Sequence, residues 1–412
     1  MGTPGSWSNR YLLRVVQKLA GDVPVRMAED GPGKRPVGGP LQPSVVIRNP
    51  RVLPAMVLTP EIGFCDGYSQ EQIEVEGDLV RVLEAAYRPA RSAMTNVLSR
   101  WLDWAQANTL RGSRRNIHHH YDLSNDFYRL WLDREMVYTC AYFPHEDCTL
   151  EEAQAAKMDL VCRKLWLRPE ETVVEAGCGW GALALHMARH YGVRVKAFNI
   201  SHEQIVYARE RAKREGLSSR VEFIEDDFRN ISGRFDAFVS VGMLEHLGKA
   251  NYAEFGRVIR RTIGDCGRGL LHFIGRNYPR PFSVWIRKRI FPGAYAPSLH
   301  EAMNVFEPQD LSVLHVENLR AHYAKTLEHW LARFEQSYQA VAERFGPVFA
   351  RGWRLYLAGS IAAFRVGGLQ LFQVVFAGRK CAAQPWTWSN LYAAETEPPA
   401  EEQTQRWIRA TS

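Results

Sequence analysis

The chain has 412 residues, of which 46% are hydrophobic and 24% charged, with a formal charge of +7. That length exceeds one typical core, so a second domain or a large insertion is expected. The longest apolar run, Leu355 to Phe364, stops at Arg365 and falls short of the ~20 residues a bilayer requires, and seven cysteines without paired spacing exclude a disulfide framework. Met1 to Ser8 is polar and glycine-rich and Tyr11 to Val16 is broken by Arg14, which is not a signal-peptide pattern, so a cytoplasmic protein is expected.

Residues 1–107 read as a small α+β unit of ordinary domain size. Gly31 to Pro40 is rich in turn residues, whereas Ser44-Val-Val-Ile-Arg48, Gly63-Phe-Cys-Asp-Gly-Tyr68 and Ile73-Glu-Val-Glu-Gly-Asp78 read as short strands. Residues 108–115 form a basic linker to a second unit over 116–382, and 383–412 read as a peripheral tail. His118, His119 and His120 invite a metal site, but consecutive residues cannot all face one ion and no partner has ligand spacing, so no metal is expected. Thr149-Leu-Glu-Glu152 is a capping box that opens a helix through Leu165.

Next comes the stretch Glu175-Ala-Gly-Cys-Gly-Trp-Gly181, after the β-branched pair Val173-Val174 and before the helix-like run Ala182 to Ala188. Strand, glycine turn, helix is how a doubly wound sheet builds a nucleotide pocket. Glu175 places a carboxylate where a dehydrogenase needs room for a pyrophosphate, and an acid there suits a cationic cofactor, which favours S-adenosylmethionine (SAM). Arg194 to Ile200 reads as a second strand, and Ser201-His-Glu-Gln204 as the capping box of a helix that stops at Gly216. Val221 to Ile224 is a third strand ending at Asp227-Phe228, and Phe235 to Val241 a fourth ending at Gly242-Met-Leu-Glu-His246. The acid that holds a ribose after the second strand is missing, since Asn199 stands there. Further on, Leu270 to Ile274 is strand-like, Trp330, Phe334, Tyr338, Val341 and Phe345 fall at helical spacing, as a core stripe or the lining of an acyl tunnel, and Leu369 to Phe376 is the last strand. The fold class expected is α/β, a doubly wound Rossmann-like domain with a smaller N-terminal domain.

Asn116-Ile-His-His-His-Tyr-Asp-Leu-Ser-Asn-Asp-Phe-Tyr128, Tyr138-Thr-Cys-Ala-Tyr-Phe143, Gly177-Cys-Gly-Trp-Gly181 and Ser240-Val-Gly-Met-Leu-Glu-His246 stand in this order, followed by Ile290-Phe-Pro-Gly293, His322-Tyr-Ala-Lys-Thr-Leu327, Phe364-Arg365 and Gln373. Over roughly residues 116–380 the chain resembles the cyclopropane-fatty-acyl-phospholipid synthases and mycolic acid cyclopropane synthases. The resemblance implies a SAM-dependent enzyme that adds a methylene to the cis double bond of an unsaturated acyl chain. It implies SAM contacts at Tyr138 and Thr139, along Val174, Glu175, Ala176, Gly177, Cys178, Gly179, Trp180 and Gly181, then at Asn199, Ile200, Ser201 and Gln204, and at Asp227 with Phe228. Thr139 stands where serine is common, and Phe198-Asn199-Ile200 replaces a threonine-leucine type of sequence. It also implies a bound bicarbonate ion as base, held by Cys140 through its backbone, Glu245, His272, Ile274 through its backbone, and Tyr323, with a hydrogen bond between Glu245 and Tyr323. The N-terminal region has a sterol-carrier-like look, which implies lipid binding, homodimer assembly or a structural role.

The chemistry has its own demands. An internal alkene is a poor nucleophile, so only a strongly electrophilic methyl reacts with it, and the positive charge left on the chain must be kept from water until a proton is lost and the ring closes. Arg276 to Arg289 carries Arg276, Arg280, Arg287, Lys288 and Arg289 among Tyr278, Phe282 and Trp285, a pattern that fits peripheral attachment to an anionic phospholipid surface or else a solvated basic segment. The net charge would also allow nucleic acid, but no nucleic-acid motif accompanies it, so none is expected. Two alternatives stay open: a fatty acyl C-methyltransferase giving methyl- or methylene-branched chains, and a non-catalytic lipid-binding relative.

Overall fold

The computed structural model describes residues 4–30, 43–87, 123–382 and 385–391. The expected linker and the three consecutive histidines lie outside these. The N-terminal unit carries a three-stranded sheet of β1 (Val25–Met27), β2 (Ser44–Ile47) and β3 (Ile73–Glu76), in that order, with β1 parallel and β3 antiparallel to β2. The stretch expected as a strand at Gly63–Tyr68 is instead inside the helix Pro60–Ser69. Its aromatic and glycine content mimics a strand, but Pro60 at the first turn presets helical φ, and the glycine at position 63 lets this helix approach the preceding one, Leu53–Leu58, at Ala55 and Met56.

The second unit is built on β4 (Thr172–Ala176), β5 (Arg194–Asn199), β6 (Val221–Glu225), β7 (Ala237–Val241), β8 (Arg268–Gly275), β9 (Leu311–Asn318) and β10 (Gln370–Gly378), ordered β6-β5-β4-β7-β8-β10-β9. The five strands from β6 to β8 are parallel, and β10 enters antiparallel between β8 and β9. This is a doubly wound α/β fold. The strand order reverses on either side of β4, so the loops after β4 and β7 open on one crevice at the switch point. β10 is buried at every position, as a central strand of a two-sided sheet must be. The edge strand β9, which the sequence pattern did not announce, is half exposed and alternates poorly.

The capping box at Thr149 forms, with Glu152 reaching back to the Thr149 N–H. The one read at Ser201 does not: Ser201 caps nothing with its side chain, and Gln204 is drawn to Asn199 instead. One hydrophobic cluster runs from Val16 and Val45 through Tyr68 and Leu83 into Trp131, Trp330, Trp353 and Leu371, so the N-terminal unit and the C-terminal helices share a core. Arg351, on the helix Pro347–Arg365, crosses that boundary to donate to the carbonyls of Tyr68 (2.7 Å) and Ile73 (3.1 Å). Among the described residues, no helix is long and apolar enough to cross a membrane.

Candidate functional site

The glycine loop leaves β4 with Gly177, Gly179 and Gly181 all at positive φ, between +54° and +86°. A Cβ at Gly181 would lie 2.6 Å from the Phe223 ring, so the turn is tied to β6, whereas the side of Gly179 where a Cβ would point is open, which leaves backbone accessible to a ligand. The N–H groups of Gly177 and Cys178 both donate to the Phe198 carbonyl at the end of β5. Asn199 closes the arrangement by donating to the Gly179 carbonyl (3.2 Å) and to Gln204 Oε1 (2.7 Å). Val174 and Ala176 are buried in the sheet, Trp180 turns inward to pack on Tyr128 and donates its indole N–H to Asn125 (2.7 Å), and Ile200 is half-buried beside the buried Ser201.

Glu175 is buried, and its Oε2 has no hydrogen-bond partner. Burial pushes its carboxyl up to about 8, against the opposing pull of Lys157 and the Ala184 N–H. An unsatisfied buried carboxylate oxygen at the base of a glycine loop costs free energy unless a donor or a cation arrives. Across the crevice Tyr138 hydrogen-bonds the Tyr356 hydroxyl (2.9 Å), and its ring contacts Tyr128, Trp131 and Trp330. The turn before it is held by buried Asp133, which accepts from the N–H groups of Glu135 and Val137. Asp227 gives both carboxylate oxygens to Arg229 at 3.0 Å, and that guanidinium lies 4.7 Å over the Phe228 ring. The Asp227 carboxylate, expected to contact SAM, is therefore already paired with Arg229.

A second group of residues gathers where β8 meets the short helix Leu244–Leu247 that follows β7. Glu245 Oε1 accepts the Ile274 N–H at 2.6 Å, while Oε2 is buried without a partner. The backbone of β8 thus anchors this carboxylate through the Ile274 N–H. Burial pushes Glu245 up to about 7. His272, two residues before Ile274 on the same face of β8, is 2% exposed, and its Nε2 has no partner. Burial drives its imidazole well below the ordinary range, so it is neutral.

Cys140 is fully buried, its thiol donates to the Ala141 carbonyl (3.1 Å), and burial pushes it far up, so no thiolate nucleophile is present. The segment 138–143 is pinned to the helix Arg320–Gln336, which carries Tyr323, through Ala141 N to Thr326 Oγ1 (3.0 Å) and Phe143 N to His322 Nδ1 (3.1 Å). The Tyr323 ring lies 4.6 Å from Phe364 and 6.0 Å from Trp330. Trp330, Phe334 and Val341 of the aromatic stripe are fully buried, but Ser337 ends one helix there and Tyr338 and Phe345 sit on the next, half-buried.

Two lysines were not flagged by the sequence reading. Lys157 is buried and donates to Thr139 Oγ1 at 2.9 Å, and burial pulls its ammonium down to about 8. Lys164 is buried too and reaches Glu317 and Gln373. The signal was present: Leu150, Ala153, Lys157, Val161 and Lys164 recur at helical spacing, so two cations stand among apolar residues on one face. Of the basic segment read as a lipid surface, Arg276 is buried and donates to the carbonyls of Arg280 and Pro281, Arg280 donates to Gly368, Arg287 is buried, and Arg289 and Trp285 both engage Asp66. Lys288 and Tyr278 remain exposed. Among the described residues, no cluster of His, Cys, Asp and Glu could hold a metal ion.

The family described as mycolic acid cyclopropane synthetase matches residues 108–374. A probable fatty acid methyltransferase of Pseudomonas putida is 33% identical over 362 residues, spanning 85% of this chain and 92% of that protein. The cyclopropane-fatty-acyl-phospholipid synthase of Escherichia coli K12 is 40% identical over 258 residues, 62% of this chain and 66% of that one. The solved structure of mycolic acid cyclopropane synthase CmaA1 complexed with SAH and CTAB shares 31% identity with a TM-score of 0.61, covering 64% of this chain and 97% of that one.

Proposed function

Because the chain belongs to the mycolic acid cyclopropane synthetase family and is a SAM-dependent methyltransferase, we propose that it transfers a methylene from SAM to the cis double bond of an unsaturated acyl chain in phospholipid, with a bound bicarbonate ion as base. The observation that carries this reading is that Glu245 Oε2 and His272 Nε2 are both buried without partners, with Glu245 bonded to the Ile274 N–H two residues along β8 from His272. A small hydrogen-bonding anion satisfies both, which neither can do for itself.

The residues present fit both groups. SAM would be held by the glycine loop with its open Gly179, by the Glu175 carboxylate, by Tyr138 and Thr139 opposite, and by Asn199, Ile200, Ser201, Gln204, Asp227 and Phe228 along the β5 and β6 ends. Bound there, it supplies the electrophilic methyl that an isolated alkene requires. Bicarbonate would be held by Glu245, His272, Tyr323 and the backbone at Cys140 and Ile274, and it supplies a base small enough to reach the new methyl. Near neutrality Glu245 is partly protonated, so it can share a proton with an anion that a charged carboxylate would repel. The rings of Tyr138, Trp330 and Tyr323 pack on one another, and such an aromatic cluster beside the acyl chain would stabilise positive charge there and exclude water. The substrate would be reached from an anionic membrane surface by peripheral attachment, with Lys288 and Tyr278 as the exposed remnant of the basic segment.

A second reading is favoured by one observation: a likeness that runs through 85% of this chain is to a probable fatty acid methyltransferase. Vesicles of unsaturated phospholipid incubated with the protein and SAM separate the two. Ring formation yields a product one CH2 heavier with no alkene, and removal of bicarbonate abolishes it. A product that keeps its alkene, or turnover indifferent to bicarbonate, would sink the ring-forming reading.

A further inference from the structure

Three strands carry a row of polar side chains in direct register. Gln373 on β10 is the Cα partner of His272 on β8 and of Glu317 on β9, so all three project from one face of the sheet. Lys164 caps the row from the helix Leu150–Lys164: its side chain has no exposed surface, and its ammonium donates to the Glu317 carboxylate and, at 2.6 Å, to Gln373 Oε1. Gln373 is itself fully buried, and its Nε2 stands 3.0 Å from His272 Nδ1. His272 Nε2 is the buried atom without a partner.

Donor and acceptor counting settles the protons. An ammonium has donors only, so the atom that Gln373 turns to Lys164 must be its carbonyl oxygen. The amide nitrogen then faces His272 and needs an acceptor there, so Nδ1 carries no hydrogen. Burial, reinforced by Lys157 and Lys164, keeps the imidazole neutral, and a neutral imidazole without a proton on Nδ1 bears it on Nε2.

We propose that Lys164 and Gln373 are positioning residues that hold His272 in the Nε2–H tautomer, so that a hydrogen-bond donor, never a lone pair, faces the site shared with Glu245. The proposal rests on the reading of His272 as a group that holds an anion. Without the relay a neutral imidazole divides between two tautomers, and one of them points a lone pair at the anion and repels it.

The test uses the full chain with 15N-labelled histidine. Long-range 1H–15N correlation should report His272 as Nε2–H, unchanged from pH 6 to pH 9. Gln373→Glu keeps the shape but puts an acceptor opposite Nδ1. Lys157 and Lys164 are the other charged groups that act on the ring, with Glu317 paired to Lys164, and none of them changes. The proton should move to Nδ1 at pH 8, and the ring should become imidazolium as pH falls. Turnover should drop at least tenfold at pH 8 with little change in KM, then recover toward acid, where the imidazolium again presents Nε2–H. Should that variant fail to fold, Gln373→Met, which removes the donor without adding charge, should give a mixture of tautomers. An Nδ1–H tautomer in the unmodified protein, or one that neither variant moves, overturns the proposal. Because the tautomer is read without bicarbonate or substrate, its outcome is independent of whether the ring-forming reaction proves correct.

Discussion

Glu245 is held where its charge is costly. The folded protein raises its pKa from the usual 4.5 to about 7, chiefly by burial, so between these values the native state binds the proton more tightly than the unfolded chain. Its contribution to stability is therefore fully present below pH 4.5 and is lost as pH rises through 7, by about 3 kcal/mol in total. Glu245→Gln cannot titrate. In urea titrations at pH 4.5 and pH 8 it should lack that part of the pH dependence and be the more stable protein at pH 8, while losing nearly all turnover. A Gln variant that destabilises the protein equally at both pH values would show that the carboxylate is not desolvated as described. The carboxylate thus gives up stability near neutrality and keeps a shareable proton there, as the anion-holding role proposed for it requires.

At the scale of elements, the sequence was legible wherever periodicity and turn chemistry agreed. β4, its glycine loop and the helix after it, β5 to β8 and β10 all lie where the alternation and the glycines placed them. The helix Pro60–Ser69 was misread because its reason lies in tertiary contact. A Cβ at Gly63 would fall 2.5 Å from backbone atoms of Ala55 and Met56, so the glycine read as the start of a strand is what lets two helices touch. Gly63→Ala improves helix propensity by ~1 kcal/mol, but overpacking against backbone that cannot rotate away costs roughly 1–3 kcal/mol. The net effect should be a lowered midpoint in thermal unfolding; a raised midpoint would mean the helices can part at no cost. In the candidate site, Glu175, Glu245 and His272 could be named from motifs, whereas the Lys164 relay could not. Its members are far apart in the chain, and only the cross-strand register of β8, β10 and β9 makes them neighbours.

At the scale of the molecule, the N-terminal unit is built into the second one. Arg351 serves two carbonyls of the N-terminal unit, lies 4.2 Å from the Tyr68 ring centroid and pairs with Glu74 at 3.3 Å. Arg351→Leu removes the charged donor from both carbonyls, although that of Tyr68 still accepts from the Glu71 N–H at 3.2 Å, at a cost of about 3 kcal/mol. Calorimetry should show one cooperative transition for the unmodified protein, lowered as a whole in the variant; two separate transitions would mean that the halves fold independently. A consequence for biosynthesis lies in the position of β10. It follows every other strand of this sheet in sequence, yet it lies between β8 and β9 and brings Gln373 to His272. A nascent chain can fold its early parallel strands as they emerge, but Gln373 cannot reach His272 until β10 has emerged, so a chain cut before β10 should lack the fixed Nε2–H tautomer.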